Sequence, residues 1–372
     1  SKKLIPSLSK KRLEEIIATL TSSQFRGRLA GTEEAILAAE FIKNSFIEAG
    51  LEPGMSDGFF QRFEHNGKTF INVTGRLRGA TDSCIIIGAH YDHLGLDERG
   101  NIYPGADDNA SGVALLIELA RTMAEIPLKK DLIFIAFSGE ESGRLGSRYY
   151  TESREFKKCI AMINLDTVGR LRDRKPIIIG SATAKEWPLL LKEASLISGI
   201  EIESAKEDLD SSDQKSFEEA GIPAIQIFSG PHEDYHRITD TPDKIDLEGM
   251  LKIGTFTKEL ILRLQRISEL SFTGSMDKRH VSERRKVSIG TIPDFSYRGN
   301  GYRIAGVIDD SPASKAGLEP GDTIIEFNSR PVTGLKDFSE YLRSVNPGEK
   351  IILKIKRAQE ELILEIEVKE RQ

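Results

Sequence analysis

Residues 84–93 read CIIIGAHYDH. The first six are apolar without interruption, the pattern of a short strand covered on both faces rather than one with a wet side. The run ends on His90-Tyr91-Asp92-His93, so polar, titratable side chains stand where a buried strand runs out. Three more stretches repeat the arrangement. DLIFIAFSG (131–139) is followed by Glu140 and Glu141, CIAMINL (159–165) by Asp166, and IPAIQIFSG (222–230) by His232, Tyr235 and His236. KPIIIG (175–180) reads as another strand, and FINVTGRL (70–77) alternates as an edge strand does.

Helical patterns lie between these runs. SGVALLIELARTMAE (111–125), a segment from about Ala184 to Ser198, and LEGMLKIGTFTKELILRLQRI (247–267) all carry apolar residues at helical spacing. Upstream, LSKKRLEEIIATLTSS (8–23) and EEAILAAEFIKNSFIEAGL (33–51) form two more, separated by the loop FRGRLAGT, with Gly50 where a C-terminal cap belongs. Strands alternating with helices predict an α/β fold, a three-layer sandwich around a mostly parallel mixed sheet.

In such sheets, sites form outside the C-terminal strand ends. A fifth element, GADDNASG (105–112), adds Asp107 and Asp108 just before a helix whose N-cap is Asn109 or Ser111. Taken singly, each piece has an ordinary explanation: a satisfied His-x-Asp pair, a solvated Glu-Glu helix start, Asp-Asp-Asn capping chemistry. Together they are hard to explain as solvation. Carboxylates and imidazoles gathered at one sheet edge repel or shift their pKa values unless a cation holds them. Two His and three acidic groups suit zinc or a similar divalent ion, and a carboxylate can bridge two such ions. His93, His232 and Asp107 remain open as alternative ligands or supporting groups.

The set GAHYDHLG, PGADDNASG, FSGEESGRLGS, INLDTVGR and HEDYHRITDTP, with FRGRLAGT upstream, resembles the di-zinc aminopeptidases of metallopeptidase family twenty-eight, the bacterial leucyl aminopeptidase-like group. The resemblance implies two Zn2+ ions per chain and a hydrolase acting on the N-terminal bond of peptide substrates. It implies Asp108 as bridging carboxylate, His90 and Asp166 as partners on one metal, and Glu141 and His236 on the other. Glu140 takes the part of general base, Asp92 that of the group orienting His90, and Tyr235 that of an oxyanion donor or a plain packing aromatic. Family habit also suggests export to the periplasm, the cell surface or the medium. A dipeptidase or carboxypeptidase on the same metals would want an arginine for a free carboxylate, and Arg144, Arg170 and Arg237 are candidates. A non-catalytic adaptor would have no need to keep Glu140 and the full ligand set.

The polar stretch 268–283 reads as a linker after a peptidase domain at 1–267. Its basic run KRHVSERRK (278–286) reads as solvated chain. Residues 284–372 are strand-rich, and SPASKAGLEPGD with VSIGTIPDF resembles a PDZ domain, a small β-barrel-like fold. That resemblance implies a loop at Ser288, Ile289, Gly290 and Thr291 that holds the C-terminal carboxylate of a peptide or protein. A degenerate copy that only packs or regulates access is the alternative.

Composition sets the outer bounds. Of 372 residues, 39% are hydrophobic and 30% charged, as in a folded globular chain. Net charge is −6 (52 − 58), which argues against nucleic acid as the main partner. No apolar run approaches the roughly 20 residues of a membrane helix. Cys84 and Cys159 are either free thiols or one bridge. A start at Ser1 instead of Met is expected of a trimmed chain, so a missing leader says nothing about compartment.

Overall fold

The run 84–90 is the central strand of a nine-stranded mixed sheet. The computed structural model describes residues 7–153, 158–205, 212–274, 287–295, 297–358 and 360–370. Two compact units divide the chain, one holding the nine-stranded sheet and one a six-stranded sheet.

In the first unit, α1 (Lys10–Leu20) and α2 (Glu33–Glu48) precede β1 (Glu52–Pro53), β2 (Phe60–His65), β3 (Lys68–Leu77) and β4 (Cys84–His90). Then come α3 (Gly112–Met123), β5 (Asp131–Phe137), α4 (Leu145–Ser153), β6 (Cys159–Leu165), β7 (Ile177–Ile179) and α5 (Trp187–Ser198). β8 (Glu203–Ser204), α6 (Gln214–Glu219), β9 (Ala224–Phe228) and α7 (Leu247–Leu264) complete it. The strand order is β1-β3-β5-β4-β6-β9-β7-β8, with β2 beside β3. β5, β4, β6 and β9 run parallel, while β3 and β7 pair antiparallel to the block.

Strand alternation builds the layers. Ile85, Ile87 and Ala89 point into a core shared with α1, α2, α3, α5 and α7. Cys84 and Ile86 point to the other face, against Tyr150 of α4 and Phe217 of α6. Cys84 and Cys159 face each other in register across β4 and β6 and are joined as a disulfide.

Two expectations change. The stretch 70–77 belongs to β3, which is interior: it pairs with β5 on one side and with β1 and β2 on the other. Alternation marks one wet face and says nothing about a strand's edges. The stretch read as a linker starts as ordered backbone. Leu270 is buried, Phe272 bridges Ala184, and the Thr273 amide donates to Thr183 O at 2.9 Å. Residues 275–283, and with them the basic run, lie outside the described residues.

The second unit contains β10 (Val287–Ser288), β11 (Thr291–Pro293), β12 (Tyr302–Val307), α8 (Pro312–Lys315), β13 (Thr323–Phe327) and β14 (Arg330–Pro331). It closes with α9 (Leu335–Arg343), β15 (Lys350–Arg357), β16 (Glu360–Glu367) and β17 (Lys369–Glu370). The order β11-β12-β13-β15-β16 is antiparallel throughout and leaves β11 at an edge. Val287, Ile304, Phe327, Phe338 and Ile351 are among its core residues.

Candidate metal centre

β4 and β6 lie side by side, so the chain leaving each strand delivers its side chain to one crevice: His90 from β4 and Asp166 from β6. The loop before α3 carries Asp108 into the same space. His90 Nε2 lies 3.3 Å from Asp108 Oδ1 and 3.5 Å from Asp166 Oδ1. The other oxygen of Asp108 faces a different pair. His236 Nε2 is 3.0 Å from Asp108 Oδ2 and 3.2 Å from Glu141 Oε1. All five expected ligands are thus brought together, with Asp108 between two nests.

His90, Asp108 and Asp166 form one group with ligand atoms spaced for a metal ion, and Asp108, Glu141 and His93 form another. His93, left open by sequence, therefore lies inside the cluster. His232 enters neither group and is half-buried. Asp107 turns away from the ions' space: its Oδ1 accepts from the Gly169 amide (2.5 Å) and the Ser111 hydroxyl (3.0 Å).

The clustered charges shift one another. Burial disfavours charge on His90, yet Asp166 and Asp108 raise its pKa well above the usual imidazole value. Burial works against charge on His236 too, and Glu141 and Asp108 still lift it to about 9. Despite burial, the His236 and His90 imidazoles hold Asp108 low, and His236 and His93 hold Glu141 well below its usual range. The imidazoles serve as counter-ions to the carboxylates. One detail favours the metal. Asp108 Oδ2 and His236 Nε2 are buried and 3.0 Å apart, but neither makes a hydrogen bond. A buried polar atom without a partner is costly. Nitrogen and oxygen donors so arranged fit zinc.

The residues expected to support the ligands are also placed. His90 Nδ1 donates to the backbone carbonyl of Asp92 at 3.1 Å, and the Asp92 carboxylate lies farther off, at 3.8 Å. That carbonyl fixes the tautomer and leaves Nε2 for the crevice. The carboxylate instead accepts from the amides of Glu140 (3.1 Å) and Glu141 (3.3 Å), and burial pushes its pKa up to about 6. Glu140 is partly buried beside these groups. Burial, with Glu141 and Asp213 nearby, raises its pKa well above the carboxylate range. Tyr235 stacks flat on His236, ring centroids 4.0 Å apart and 18° between planes, and is 41% exposed.

Sequence reading missed the groups that hold the loops. Asn109 Nδ2 donates to His90 O (3.2 Å) and Leu165 O (2.9 Å), while its Oδ1 accepts from the amides of Gly112 and Thr167, both 3.1 Å. One side chain thereby ties the ends of β4 and β6 to the start of α3. Arg170, buried, pairs with Asp234 (3.1 Å) and Asp240 (3.0 Å). Asp240 in turn accepts from the amides of Asp107 and Asp108. Arg28, fully buried in the loop 25–32, donates to Tyr91 O, Leu20 O, Pro104 O and Gly105 O at 2.7–3.0 Å. Of the arginines considered for a substrate carboxylate, Arg170 is thus engaged, and Arg144 faces Ser216 and Glu219, both at 3.3 Å.

In the second unit, Ser288 ends β10 and its hydroxyl accepts from the Gly290 amide at 3.3 Å. Ile289 is buried, and its carbonyl accepts from Ala313 N at 2.8 Å. Gly290 sits at φ +82, a left-handed position, against Ser311. Thr291 opens β11 and receives the Tyr302 hydroxyl at 2.9 Å.

Known proteins resemble this chain in sequence and in fold. "Probable leucine aminopeptidase" of Arthroderma otae is 29% identical over 240 residues, covering 60% of this chain and 63% of that protein. Aminopeptidase YwaD of Bacillus subtilis is 30% identical over 183 residues, 46% of this chain and 38% of its own. The chain thus spans less than two thirds of these relatives. Among solved structures, BSAP, a zinc aminopeptidase from Bacillus subtilis, superposes with a TM-score of 0.59 at 17% identity, over 70% of this chain and 96% of its own. A Zn-dependent exopeptidase from Parabacteroides distasonis gives 0.61 at 18%, over 69% and 99%. Both share the zinc-exopeptidase type of fold. The PDZ domain family matches residues 303–357. Peptidase family M28 matches residues 72–261, just over half of the sequence and all five clustered ligands, and this chain belongs to that family.

Proposed function

We propose that the chain is a zinc-dependent aminopeptidase that removes the N-terminal residue of peptides at a two-ion centre. The observation that carries the reading is Asp108, whose Oδ1 faces His90, itself beside Asp166, and whose Oδ2 faces His236, itself beside Glu141. His90 and Asp166 would hold one ion, Glu141 and His236 the other, with Asp108 shared. Bound there, such ions polarise a scissile carbonyl and lower the pKa of a water they share.

The chain's own residues do the rest. Glu140, as the carboxylate, takes the proton of the attacking water and hands it to the leaving amine. Asp92 fixes the loop that presents Glu140, through the Glu140 amide, and sets the His90 ring through its carbonyl. Tyr235 stacks on His236 and offers its hydroxyl to the oxyanion. Asp166 accepts from the free amino group of the substrate, and the aminopeptidase names of the sequence relatives agree with action at that end. The disulfide between β4 and β6 fits an exported protein, since such bonds persist in oxidising compartments. Among the described residues no helix is long and apolar enough to cross a membrane.

The second unit binds peptide or protein C-termini. Among the described residues β11 has a strand neighbour on one side only, so a peptide can add there beside the loop Ser288–Thr291. A peptide held by its C-terminus is kept near the chain that trims it. Free and C-terminally amidated peptides of equal sequence test this: equal kcat/KM for both would remove the C-terminal capture.

Hydrolysis of leucine, alanine, lysine and glutamate p-nitroanilides, beside N-acetyl-leucine p-nitroanilide, tests the main reading. Zinc-dependent cleavage of the free substrates alone, abolished by chelator and by Glu140→Ala, is expected. Cleavage of the acetylated substrate at a similar rate would contradict action at a free N-terminus.

A further inference from the structure

His93 has been given no part in this chemistry, yet it is fully buried inside the cluster. Its Nδ1 lies 3.0 Å from Glu141 Oε1, a hydrogen bond in which the imidazole donates. The same oxygen faces His236 Nε2 at 3.2 Å. A carboxylate oxygen has two lone pairs. His93 takes one and leaves the other toward the space between Glu141, Asp108 and His236.

The ring has little freedom to do anything else. The His93 amide donates to Arg28 O at 3.2 Å, and Leu29 bridges His93 along the chain. Gly105, at φ +56, forms the floor. A Cβ there would come within 2.5 Å of His93 Cδ2 and 2.6 Å of Cγ, so only glycine leaves room for the imidazole. Tyr103 meets the ring edge-on, 6.5 Å between centroids. Glu141, by contrast, sits on a loop after β5, with its amide donating to Asp92 Oδ2 at 3.3 Å. Something must choose which oxygen faces inward.

We propose that His93 is a positioning residue for the second ion: by donating to Glu141 Oε1 it fixes that carboxylate in the orientation the ion needs, without being a ligand. The proposal rests on the two-ion reading above. It separates His93 from His236 by geometry. His236 Nε2 faces both Asp108 and Glu141 and hydrogen-bonds to neither, whereas the buried Nε2 of His93, also without a hydrogen bond, is not the nitrogen that meets Glu141. His93 Nδ1 is committed to Glu141 and stands 3.9 Å from Asp108 Oδ2.

The test measures stepwise zinc binding to the metal-free full chain by competition with a chromogenic chelator, together with the absorption spectrum of the cobalt-substituted protein. His93→Ala is expected to weaken one of the two ions by about 10–100-fold, the usual effect of removing a group that orients a ligand, and to leave the other unchanged. His93→Asn keeps a donor near the Nδ1 position but has no imidazole nitrogen to give a metal. It is expected to restore the affinity and the cobalt spectrum. Thermal melts of the metal-free proteins check folding, and if the Ala variant melts early the Asn variant carries the test. Unchanged affinities in His93→Ala would overturn the proposal. So would an Asn variant that loses the ion outright with an altered cobalt spectrum, which would make His93 a ligand. A parent chain that fails to bind two ions overturns the two-ion reading itself, and the role of His93 with it.

Discussion

The two sides of Asp108 are built differently. On one side, His90 ends β4 and Asp166 follows β6, two adjacent parallel strands in the middle of the sheet. On the other, Glu141 and His236 sit on loops, and the loop of His236 is fastened by Arg170 through Asp234 and Asp240. A strand end is held by its ladder and by the core below it. A loop is held only by whatever side chains reach it. The strand side should therefore tolerate damage that the loop side does not.

Five substitutions probe that contrast. Asp108→Ala removes the group common to both sides and should abolish binding of both ions and all turnover, read by metal stoichiometry and hydrolysis. Retention of one ion would show that one side stands alone. Glu140→Gln should lower kcat by about 10^2–10^4-fold, the range for a proton-transfer group, with both ions still bound. Arg170→Met takes the guanidinium away from two buried carboxylates, Asp234 and Asp240, and should cost about 3–5 kcal/mol in urea denaturation. Its metal loss should fall on the loop side, and equal loss on both sides would break the comparison. Asn109→Ala frees buried amides and carbonyls at the strand ends, at about 1–3 kcal/mol, and should weaken the His90–Asp166 side first. Tyr235→Phe should be mildest. Loss of an enclosed oxyanion donor costs about 10^2–10^3-fold in kcat, but a ring 41% open to solvent should cost only about tenfold. An unchanged kcat would leave Tyr235 as packing for His236.

What sequence reveals follows the same division. The buried strands were legible because CIIIGA and DLIFIAF are unbroken apolar runs, and the clustered side chains because His and Asp at such ends have few other uses. Two-residue strands such as β1 and β8 have no periodicity to read. β3 looked like an edge because alternation reports faces, not neighbours. The positioning groups were hidden for another reason. Asn109, Arg170 and Arg28 are ordinary polar residues whose partners lie 56, 64 and 63 positions away, as with Leu165, Asp234 and Tyr91. Asn109 is legible only as an N-cap, which its bond from the Gly112 amide fits, and nothing local marks the other two. Gly105 is explained by its left-handed backbone and by the Asp108 carbonyl and His93 ring that a Cβ there would meet. The expected pairing of Asp92 with His90 was right in proximity, but the atom involved is the carbonyl.

Arg28 bears on where this enzyme can be cut. The family match begins at residue 72, and every proposed ligand lies inside it. Yet the guanidinium from residue 28 is the peg on which four carbonyls hang, two of them in the loop before Asp108 and one beside His90. A recombinant fragment trimmed to the matched boundaries would keep all the coordinating atoms and lose the peg. Homology draws the border of this domain some forty residues inside its working perimeter, so engineering or transplanting the catalytic part has to start upstream of α1.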